Sequence, residues 1–218
     1  MRIPGPVDHL ARPPAEGEQA TGWNAEARAA AIAGMEQPAS HGGRRRRGSP
    51  DGEAIARQAG RLIGDRNLVV RGERYREDCS GFVAAVYGGA GRYLTGSSED
   101  MHERARAAGV LHHRRVPEVG DVAFFDDTYD RNGNGRRDDP LSHVAVVEAV
   151  ADDGTVVLVH YGSKGVARIT MDLRDPHTHY DQAGVLRNSI LRTEGKGERL
   201  TGELFKAWGS LWKVDGES

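Results

Sequence analysis

The residues of this chain that could do covalent chemistry are one cysteine and two histidines that lie far from it in sequence. Cys79 lies in the segment 78–87, and His143 and His160 lie in two Val-rich segments. A thiol can attack an amide carbonyl when one imidazole takes its proton and a further polar group orients that imidazole. These side chains form a candidate catalytic triad, with Cys79 as nucleophile, His143 as base and His160 as orienting residue.

Cys79 is predicted at the first turn of a short helix. Asp78 is a suitable N-cap, and Gly88 with Gly89 is a suitable C-cap for the apolar run between them. Backbone N–H groups and the helix dipole at this position favour a thiolate, so we expect the pKa of Cys79 to be lowered. A lone cysteine is also often an inert buried side chain. The helix start and the two histidines together favour the catalytic interpretation.

The two histidines can meet only in one register of a predicted hairpin. Strands are predicted at 143–150 and 155–161, joined by an Ala-Asp-Asp-Gly segment. A two-residue loop would separate the histidines by about 13 Å along the strand, and a three-residue loop would place them on opposite faces. We predict a four-residue loop, 151–154, which pairs His160 with Ala145 and makes the histidines diagonal neighbours.

The remaining pattern predicts an α+β fold. Two further helices are expected, one that begins at Asp51 and ends near Gly64, and one over 97–109 that opens with a Ser-Asp capping pair. Further short strands are predicted at 119–125 and 166–171. Helices followed by an antiparallel meander are typical of α+β proteins and not of alternating α/β proteins.

One folded domain is expected between two flanking segments. Residues 1–50 are rich in Ala, Pro, Gly and Arg and hold a single aromatic residue, which predicts a disordered lead. Residues 51–192 form the predicted catalytic domain. Residues 193–218 are predicted to form a helical extension packed on that domain, because apolar residues recur there at helical spacing: Leu200, Leu204, Trp208, Leu211 and Trp212.

Composition excludes several classes of protein. Thirty basic residues against 32 acidic ones leave a net charge of −2, so we expect no nucleic-acid partner. No apolar run is long enough to span a membrane, and no recognisable signal peptide is present. With one cysteine, neither an internal disulfide nor a thiolate-rich zinc site can form. We expect a monomer, and residue composition leaves its localisation unknown.

An acidic insertion, residues 126–141, precedes His143. Its oxygen-bearing residues fall at the first, third, fifth and ninth places of a calcium loop: Asp130, Asn132, Asn134 and Asp138. Leu141 occupies the twelfth place, where a bidentate Glu is usual, so a full EF-hand is not expected. An exposed Asn-Gly turn has the same composition, and the sequence leaves a calcium site and a plain turn as alternatives. A bound ion would act structurally, because thiol chemistry requires no cofactor.

The chain resembles the NlpC-type cysteine peptidases, a papain-like family that cleaves peptide bonds in bacterial cell-wall peptidoglycan, and the related CHAP-type amidases. Four segments carry the resemblance, in the family's order: DCSGFVAAVY from Asp78, GDVAFF from Gly120, SHVAVVEAV from Ser142 and VLVHYGSKGV from Val157. The resemblance implies a papain-like α+β domain with the nucleophile at a helix N-terminus packed on an antiparallel sheet. It also implies the roles of nucleophile, base and third polar member for Cys79, His143 and His160.

The same resemblance implies a substrate and a place of action. The expected substrate is a peptidoglycan stem peptide, cut between D-glutamate and a diamino acid, in the cell envelope or outside the cell. An N-acetylmuramoyl-L-alanine amidase of CHAP type and a non-catalytic, calcium-stabilised wall-binding module are the alternatives. The family usually has a Tyr upstream of the Cys that polarises the scissile carbonyl, and residues 67–72 contain none. Either Tyr75 or backbone N–H groups near Cys79 would have to replace it.

Overall fold

A computed structural model describes residues 48–193 and 198–214 of the chain. The helices of this part are α1 Pro50–Arg61, α2 Cys79–Gly89, α3 Ser98–Ala107 and the short α4 Thr201–Leu204. The first strands are β1 Val69–Val70, β2 Glu73–Arg74, β3 Leu111–His112, β4 Val122–Phe125 and β5 His143–Val150. They are followed by β6 Val156–Gly162, β7 Gly165–Met171, β8 Ile190–Arg192, β9 Arg199–Leu200, β10 Phe205–Gly209 and a final 3₁₀ turn, Leu211–Lys213. The lead predicted over 1–50 lies outside the described residues except for 48–50.

Helix α1 begins where it does because Ser49 caps it. The Ser49 hydroxyl accepts a hydrogen bond from the Gly52 N–H at 3.1 Å, and Pro50 occupies the first helical position, where no N–H is needed. Ile55 and Ala59 are fully buried, as the predicted helical spacing requires. The folded domain therefore begins slightly before the predicted boundary at residue 51.

Helix α2 carries Cys79 as its first residue. The Asp78 carboxylate accepts a hydrogen bond from the Gly81 N–H at 2.6 Å and caps the helix. A Cβ at residue 81 would lie 2.0 Å from the carbonyl oxygen of Arg76, so only glycine allows this close approach of the chain. Residues 80–87 are all buried, which fixes the helix in the core. The predicted cap and helix are confirmed.

One antiparallel sheet of six strands, in the order β3-β10-β4-β5-β6-β7, supports the helices. Strand β5 lies inside this sheet, and its residues alternate between two apolar clusters. Val144 and Val146 pack in the cluster that contains the buried residues of α1 and α2, and Ala145 and Val147 pack in the cluster on the other face. The predicted α+β class, with N-terminal helices on an antiparallel sheet, is confirmed. No helix among the described residues is long and apolar enough to cross a membrane.

The β5–β6 hairpin differs from the prediction at its turn and agrees with it at the other end. Val150 pairs with Val156, so the loop has five residues and not four. A β-bulge at Glu148 then shifts the register, and Val146 pairs with Val159. The pair of Val146 with Val159 has the register that the predicted four-residue loop would give, although the pairing ends there, before Ala145 and His160.

The prediction of a helical extension over 193–218 is wrong. Residues 205–209 form strand β10, which lies between β3 and β4 and completes the main sheet. A bulge at Lys206 brings Phe205 and Trp208 to the same face, with ring centroids 4.6 Å apart. A spacing of three residues within a bulged strand therefore resembles the spacing of a helix face. The folded domain includes this segment and does not end at 192.

Candidate active site

The Cys79 thiol is half-buried at the start of α2, and burial raises its pKa above the ordinary value. The charge of Asp78 adds to this rise. Hydrogen bonds from the backbone N–H groups of Val144, Ser80 and Cys79 lower the same pKa without cancelling the effect of burial. The predicted low pKa is therefore wrong, because removal from water outweighs the helix start, and the resting group is a neutral thiol.

The sheet opens beside this thiol. Pairing between β5 and β6 ends at Val146 and Val159, although β5 remains paired with β4 as far as His143 and β6 remains paired with β7 as far as Gly162. The ends of β5 and β6 therefore separate and leave an opening. The Val144 N–H, which is bonded to the Cys79 sulfur, lies in the unpaired end of β5. The thiol consequently lies at this opening.

His143 and His160 meet across the opening. The Nε2 atom of His143 lies 2.9 Å from Nδ1 of His160, and the two rings are nearly perpendicular, at 81°. Burial lowers the pKa of His160 to about 4. Burial and the neighbouring His160 lower the pKa of His143 well below its ordinary value. Both imidazoles are therefore neutral near pH 7, and one donates the shared hydrogen bond to the other.

Of the three predicted triad residues, the two histidines contact each other, and Cys79 is linked to their strands through the backbone of Val144. Within the described part of the chain, no hydrogen bond joins Cys79 to His143. The Nδ1 atom of His143 takes no part in the bond to His160.

Residues 70–162 match the CHAP domain. This segment contains Cys79, His143 and His160. This part of the chain is similar to a CHAP domain. The predicted resemblance to the CHAP group is confirmed over these residues.

Among solved structures, the chain is similar to a Staphylococcus aureus protein described as similar to lipoprotein, of the NLP/P60 family. The two sequences are 19% identical, the TM-score is 0.35, and the similarity covers 73% of this chain and 47% of that one. The matched part is thus less than half of the Staphylococcus aureus protein. A comparison with curated proteins gives no match.

The start of α2 in the CHAP-type domain is held by a polar network that sequence reasoning did not assign. The Ser80 hydroxyl donates to the Asp78 carboxylate at 2.9 Å, and Arg76 donates to the Ser80 hydroxyl at 2.7 Å and to the Gly96 carbonyl at 3.0 Å. These bonds fix the turn that presents Cys79. The only signal in the sequence is the polar Asp-Cys-Ser run itself.

Gly162 allows the His160 ring to take its position in the CHAP-type domain. A Cβ at residue 162 would lie 3.2 Å from Cε1 and 3.3 Å from Nε2 of that ring. These distances are shorter than an ordinary carbon contact. The glycine backbone therefore forms the wall against which the orienting histidine rests.

The insertion of residues 126–141 is tied to the domain at both of its ends. The Leu141 N–H donates to the Asp126 carboxylate at 2.8 Å. Asp127 and Asp139 exchange two hydrogen bonds, each 2.8 Å long, from the N–H of one to an oxygen of the other. The Leu141 carbonyl also accepts a bond from Ser98 at the start of α3. The insertion is therefore an ordered part of the site's surroundings.

The four predicted calcium ligands lie together within this insertion. Asn132 and Asn134 donate side-chain hydrogen bonds to Asp138 Oδ1 at 3.3 and 3.1 Å. The Asp130 carboxylate accepts bonds from the N–H groups of Asn134 at 3.2 Å and Gly135 at 2.7 Å. Among the described residues there is no cluster of three or more His, Cys, Asp or Glu that could hold a metal ion. A cation here would depend on two carboxylates and two amide oxygens, donors that suit calcium.

Tyr75, the sequence-based replacement for the missing upstream Tyr, lies away from the thiol. A Cβ at Gly88 would come within 2.1 Å of the Tyr75 hydroxyl, so this hydroxyl rests on the C-terminal end of α2. Gly88 is nine residues beyond Cys79, which is about 13 Å along a helix. Tyr75 therefore cannot polarise a carbonyl that Cys79 attacks.

Proposed function

We propose that the CHAP-type domain is a cysteine peptidase that hydrolyses amide bonds of peptidoglycan stem peptides, with the bond between D-glutamate and a diamino acid as its substrate. The observation that carries the proposal is the 2.9 Å contact between His143 and His160 at the opening beside Cys79. Two neutral, adjacent imidazoles next to a thiol supply the proton acceptor and the orienting group that a thiol nucleophile needs.

The proposed proton path fixes the tautomer of both rings. If His143 accepts the thiol proton at Nδ1, its Nε2 must carry a hydrogen and donate it to His160 Nδ1. His160 then carries its own hydrogen at Nε2. Because burial lowers the pKa of both rings, His143 is unprotonated and ready to act as a general base.

The reaction then proceeds by two proton transfers through His143. The Cys79 sulfur attacks the amide carbonyl while its proton moves to His143 Nδ1. The C–N bond of the tetrahedral intermediate breaks, His143 gives the proton to the leaving amine, and a thioester remains on Cys79. Water attacks the thioester and gives a proton to His143, and this proton returns to the departing sulfur.

Backbone N–H groups at the start of α2 are suited to stabilise the oxyanion. The first N–H groups of a helix have no partner within it. The N–H of Gly81 is bonded to the Asp78 side chain, and that of Phe82 to the Asp78 carbonyl. The N–H groups of Cys79 and Ser80, which already act on the sulfur, are the donors that can face a carbonyl attacked by that sulfur.

Wall digestion by the wild type and by Cys79→Ala tests the proposal. We expect the wild type to release soluble peptides from purified peptidoglycan and Cys79→Ala to release none above background. A matched melting temperature for the variant shows that it is folded. Equal release by both proteins would contradict the thiol mechanism, and no release by either protein would favour a wall-binding role without catalysis.

The match to the CHAP domain favours an amidase as the second candidate function. The same three residues would then cut the bond that joins the glycan to L-alanine. Labelling of new amino groups on the digested wall separates the two activities. A new amino group on the diamino acid supports the endopeptidase, and one on L-alanine supports the amidase.

A calcium ion is proposed to bind the insertion through Asp130, Asn132, Asn134 and Asp138. The oxygen donors of these residues and their mutual proximity support this assignment. The ion would order the chain that leads into β5. Its contribution would be structural, and every proton transfer of the reaction belongs to Cys79 and His143.

A further inference from the structure

The two residues that exchange a proton in the proposed mechanism each begin an element of secondary structure. Cys79 is the first residue of α2, and His143 is the first residue of β5. The residues that follow them are buried, so the core fixes the body of each element. The ends of helices and strands fray more readily than their middles. The position of Cys79 relative to His143 therefore depends on what holds the turns before them.

The turn before Cys79 is bonded to the segment that begins α3. Arg76 Nη2 donates to the Gly96 carbonyl at 3.0 Å and to the Ser80 hydroxyl at 2.7 Å. The Nε atom of the same guanidinium lies 3.5 Å from Asp78 Oδ2. The rigid fork of a guanidinium suits such simultaneous contacts. Arg76 therefore ties the residues on both sides of Cys79 to residue 96.

The turn before His143 is bonded to the same segment. The hydroxyl of Ser98, the first residue of α3, donates to the Leu141 carbonyl, and Ser98 is buried. Ser142 is held separately, because its hydroxyl accepts a hydrogen bond from the Thr128 N–H at 2.9 Å. The backbone that leads into His143 is thus bonded at two successive residues, and one of these bonds comes from α3.

Leu141 depends on this bond because its backbone is strained. Its φ of 50° lies in the left-handed region, which is costly for a bulky residue and persists only where the surroundings enforce it. The Leu141 N–H donates to the Asp126 carboxylate at 2.8 Å, and the Ser98 hydroxyl holds the carbonyl on the other side. Without that hydroxyl, Leu141 can relax, and a change of φ two residues before His143 would move the imidazole.

The segment between these two bonds, residues 96–98, is rigid. Gly96 has a φ of 108°, and a Cβ there would lie 2.7 Å from Cβ of Asp100, so a side chain is disfavoured at this position. The Ser97 N–H donates to the Asp100 carboxylate at 2.8 Å, and the Asp100 N–H donates to the Ser97 hydroxyl at 3.2 Å, as in a capping box. Met101 is fully buried and anchors α3 in the core. A contact made at one end of the segment is therefore fixed relative to a contact made at the other.

We propose that Arg76 and Ser98 are positioning residues, which act through the start of α3 to hold Cys79 and His143 at the separation that proton transfer requires. This inference rests on the proposed function, since it requires that His143 take the proton of Cys79. The two bonds act in series. Arg76 fixes the turn of Cys79 to residue 96, the rigid segment fixes residue 96 to residue 98, and Ser98 fixes the strand of His143. Loss of either bond therefore frees the same relative motion.

The test compares two reactions of Cys79 that need no recognition of the cell wall. p-Nitrophenyl acetate acylates the thiol at pH 7: a C–S bond forms, the ester C–O bond breaks, p-nitrophenolate leaves, and the thiol proton passes to His143 and then to water. Iodoacetamide at pH 10 alkylates the same sulfur and releases iodide after hydroxide has removed the thiol proton, so His143 is not needed. The first rate reports the relative position of nucleophile and base, and the second reports the thiol alone.

We expect Ser98→Ala and Arg76→Met each to slow acylation by about tenfold and to leave alkylation within about twofold of wild type. Because the bonds act in series, the double variant should be slowed about as much as either single variant, and not by the product of the two effects. Ser98→Thr keeps the hydroxyl and Arg76→Lys keeps a charged donor, so both should recover acylation. The matched control is Arg74→Met, which removes an exposed guanidinium that pairs with Glu77 at 3.6 Å and should change neither rate.

A change of charge beside the thiol is measured separately. Ser98→Ala alters no charge, whereas loss of Arg76 removes a cation that lies 3.5 Å from the Asp78 carboxylate. Alkylation rates from pH 6 to pH 10 report any resulting change in the ionisation of Cys79. A shift of this profile that accounts for the whole loss of acylation in Arg76→Met would overturn the positioning role of Arg76.

Wall digestion is measured in parallel, so that the two proposals can fail separately. A wild type that releases no wall fragments contradicts the proposed substrate, while slower acylation of the single variants and no further slowing of the double variant still support the positioning role. Acylation of His143→Ala at the wild-type rate would contradict the proposed proton path and the inference together.

Three further outcomes would overturn the inference while the proposed function stands. They are acylation of Arg76→Met or Ser98→Ala at the wild-type rate, equal slowing of acylation and alkylation, and a double variant slowed by the product of the two single effects. Melting temperatures show which variants are folded. Should Ser98→Ala fail to fold, Arg76→Met and Arg76→Lys decide alone, because the Arg76 side chain is largely exposed and its loss leaves the core intact.

Discussion

The His143 and His160 side chains bridge a gap in the sheet, with Nε2 of one ring 2.9 Å from Nδ1 of the other. The backbones of β5 and β6 are unpaired beyond Val146 and Val159. The ring contact therefore replaces backbone pairing at the end of the sheet where Cys79 lies. His160 therefore ties the two strands and, in the proposed mechanism, also orients the base.

The first prediction tests whether residue 160 needs an imidazole ring or only an atom that accepts a hydrogen bond from His143. An Asn side chain carries its Oδ1 at the same number of bonds from Cα as Nδ1 of His. His160→Asn should therefore still accept from His143 Nε2 and keep wall digestion within about tenfold of wild type, whereas His160→Ala should lose on the order of 10². Initial rates on the same peptidoglycan provide the measurement. Equal losses of rate in the two variants would show that a hydrogen-bond acceptor at residue 160 does not determine the rate of wall digestion.

The second prediction concerns Gly162, which lies against the His160 ring. In Gly162→Ala the new Cβ would lie 3.2 Å from the His160 ring, so the ring must shift by a few tenths of an ångström. We expect a loss of activity on the order of tenfold, with a melting temperature close to wild type. Ser163→Ala, in the adjacent exposed turn, is the control. A fully active Gly162→Ala would mean that the position of His160 is not critical.

The third prediction follows from the thiol's environment. Because burial raises the pKa of Cys79, alkylation by iodoacetamide should be slow at pH 6 and should increase with pH beyond the ordinary thiol midpoint of about 8.5. Glutathione, measured in parallel, gives the reference profile. Rapid alkylation at pH 6 would instead indicate a thiolate–imidazolium pair in the resting site.

The fourth prediction is a loss of stability in acid. His160 has a pKa of about 4 when folded and about 6.5 when unfolded, so between these values only the unfolded chain binds the proton. Stability is therefore complete above pH 6.5 and declines as pH falls toward 4, by up to about 3 kcal/mol from this residue. The lowered pKa of His143 acts in the same direction. Melting temperatures from pH 7 to pH 4 should fall less steeply in His160→Asn than in wild type, and parallel curves would contradict this account.

Much of the site could be predicted from the sequence because its signals are local. The cap at Asp78 and the apolar run behind it define the helix of Cys79, and a Val-rich strand begins at His143. The register that brings His160 to His143 was also predicted correctly, but only because two differences from the predicted hairpin cancel each other. A longer loop and a bulge at Glu148 together give the offset that a four-residue loop would give.

The rest depends on tertiary contacts that no local pattern reports. The pKa of Cys79 is raised because distant segments bury the thiol. The position of the insertion depends on the bonds between Thr128 and Ser142, which are 14 residues apart. Strand β10 resembles a helix because a bulge at Lys206 alters its alternation. In each case the nearest residues in sequence are a poor guide to the nearest residues in space.

The last prediction concerns the insertion as a calcium site. Calcium at 100 times its dissociation constant would stabilise the folded chain by about 2.7 kcal/mol, which corresponds to a melting temperature higher by roughly 5–10 °C. A chelator should therefore lower the melting temperature and the rate of wall digestion together, because the same chain segment leads from Asp138 to His143, and added calcium should restore both. Asp138→Asn should abolish the response, while Asp152→Asn, in the exposed β5–β6 turn, should preserve it. If chelation changes neither quantity in the wild type, the insertion is an ordered turn held by its own hydrogen bonds and by its contacts with the rest of the domain.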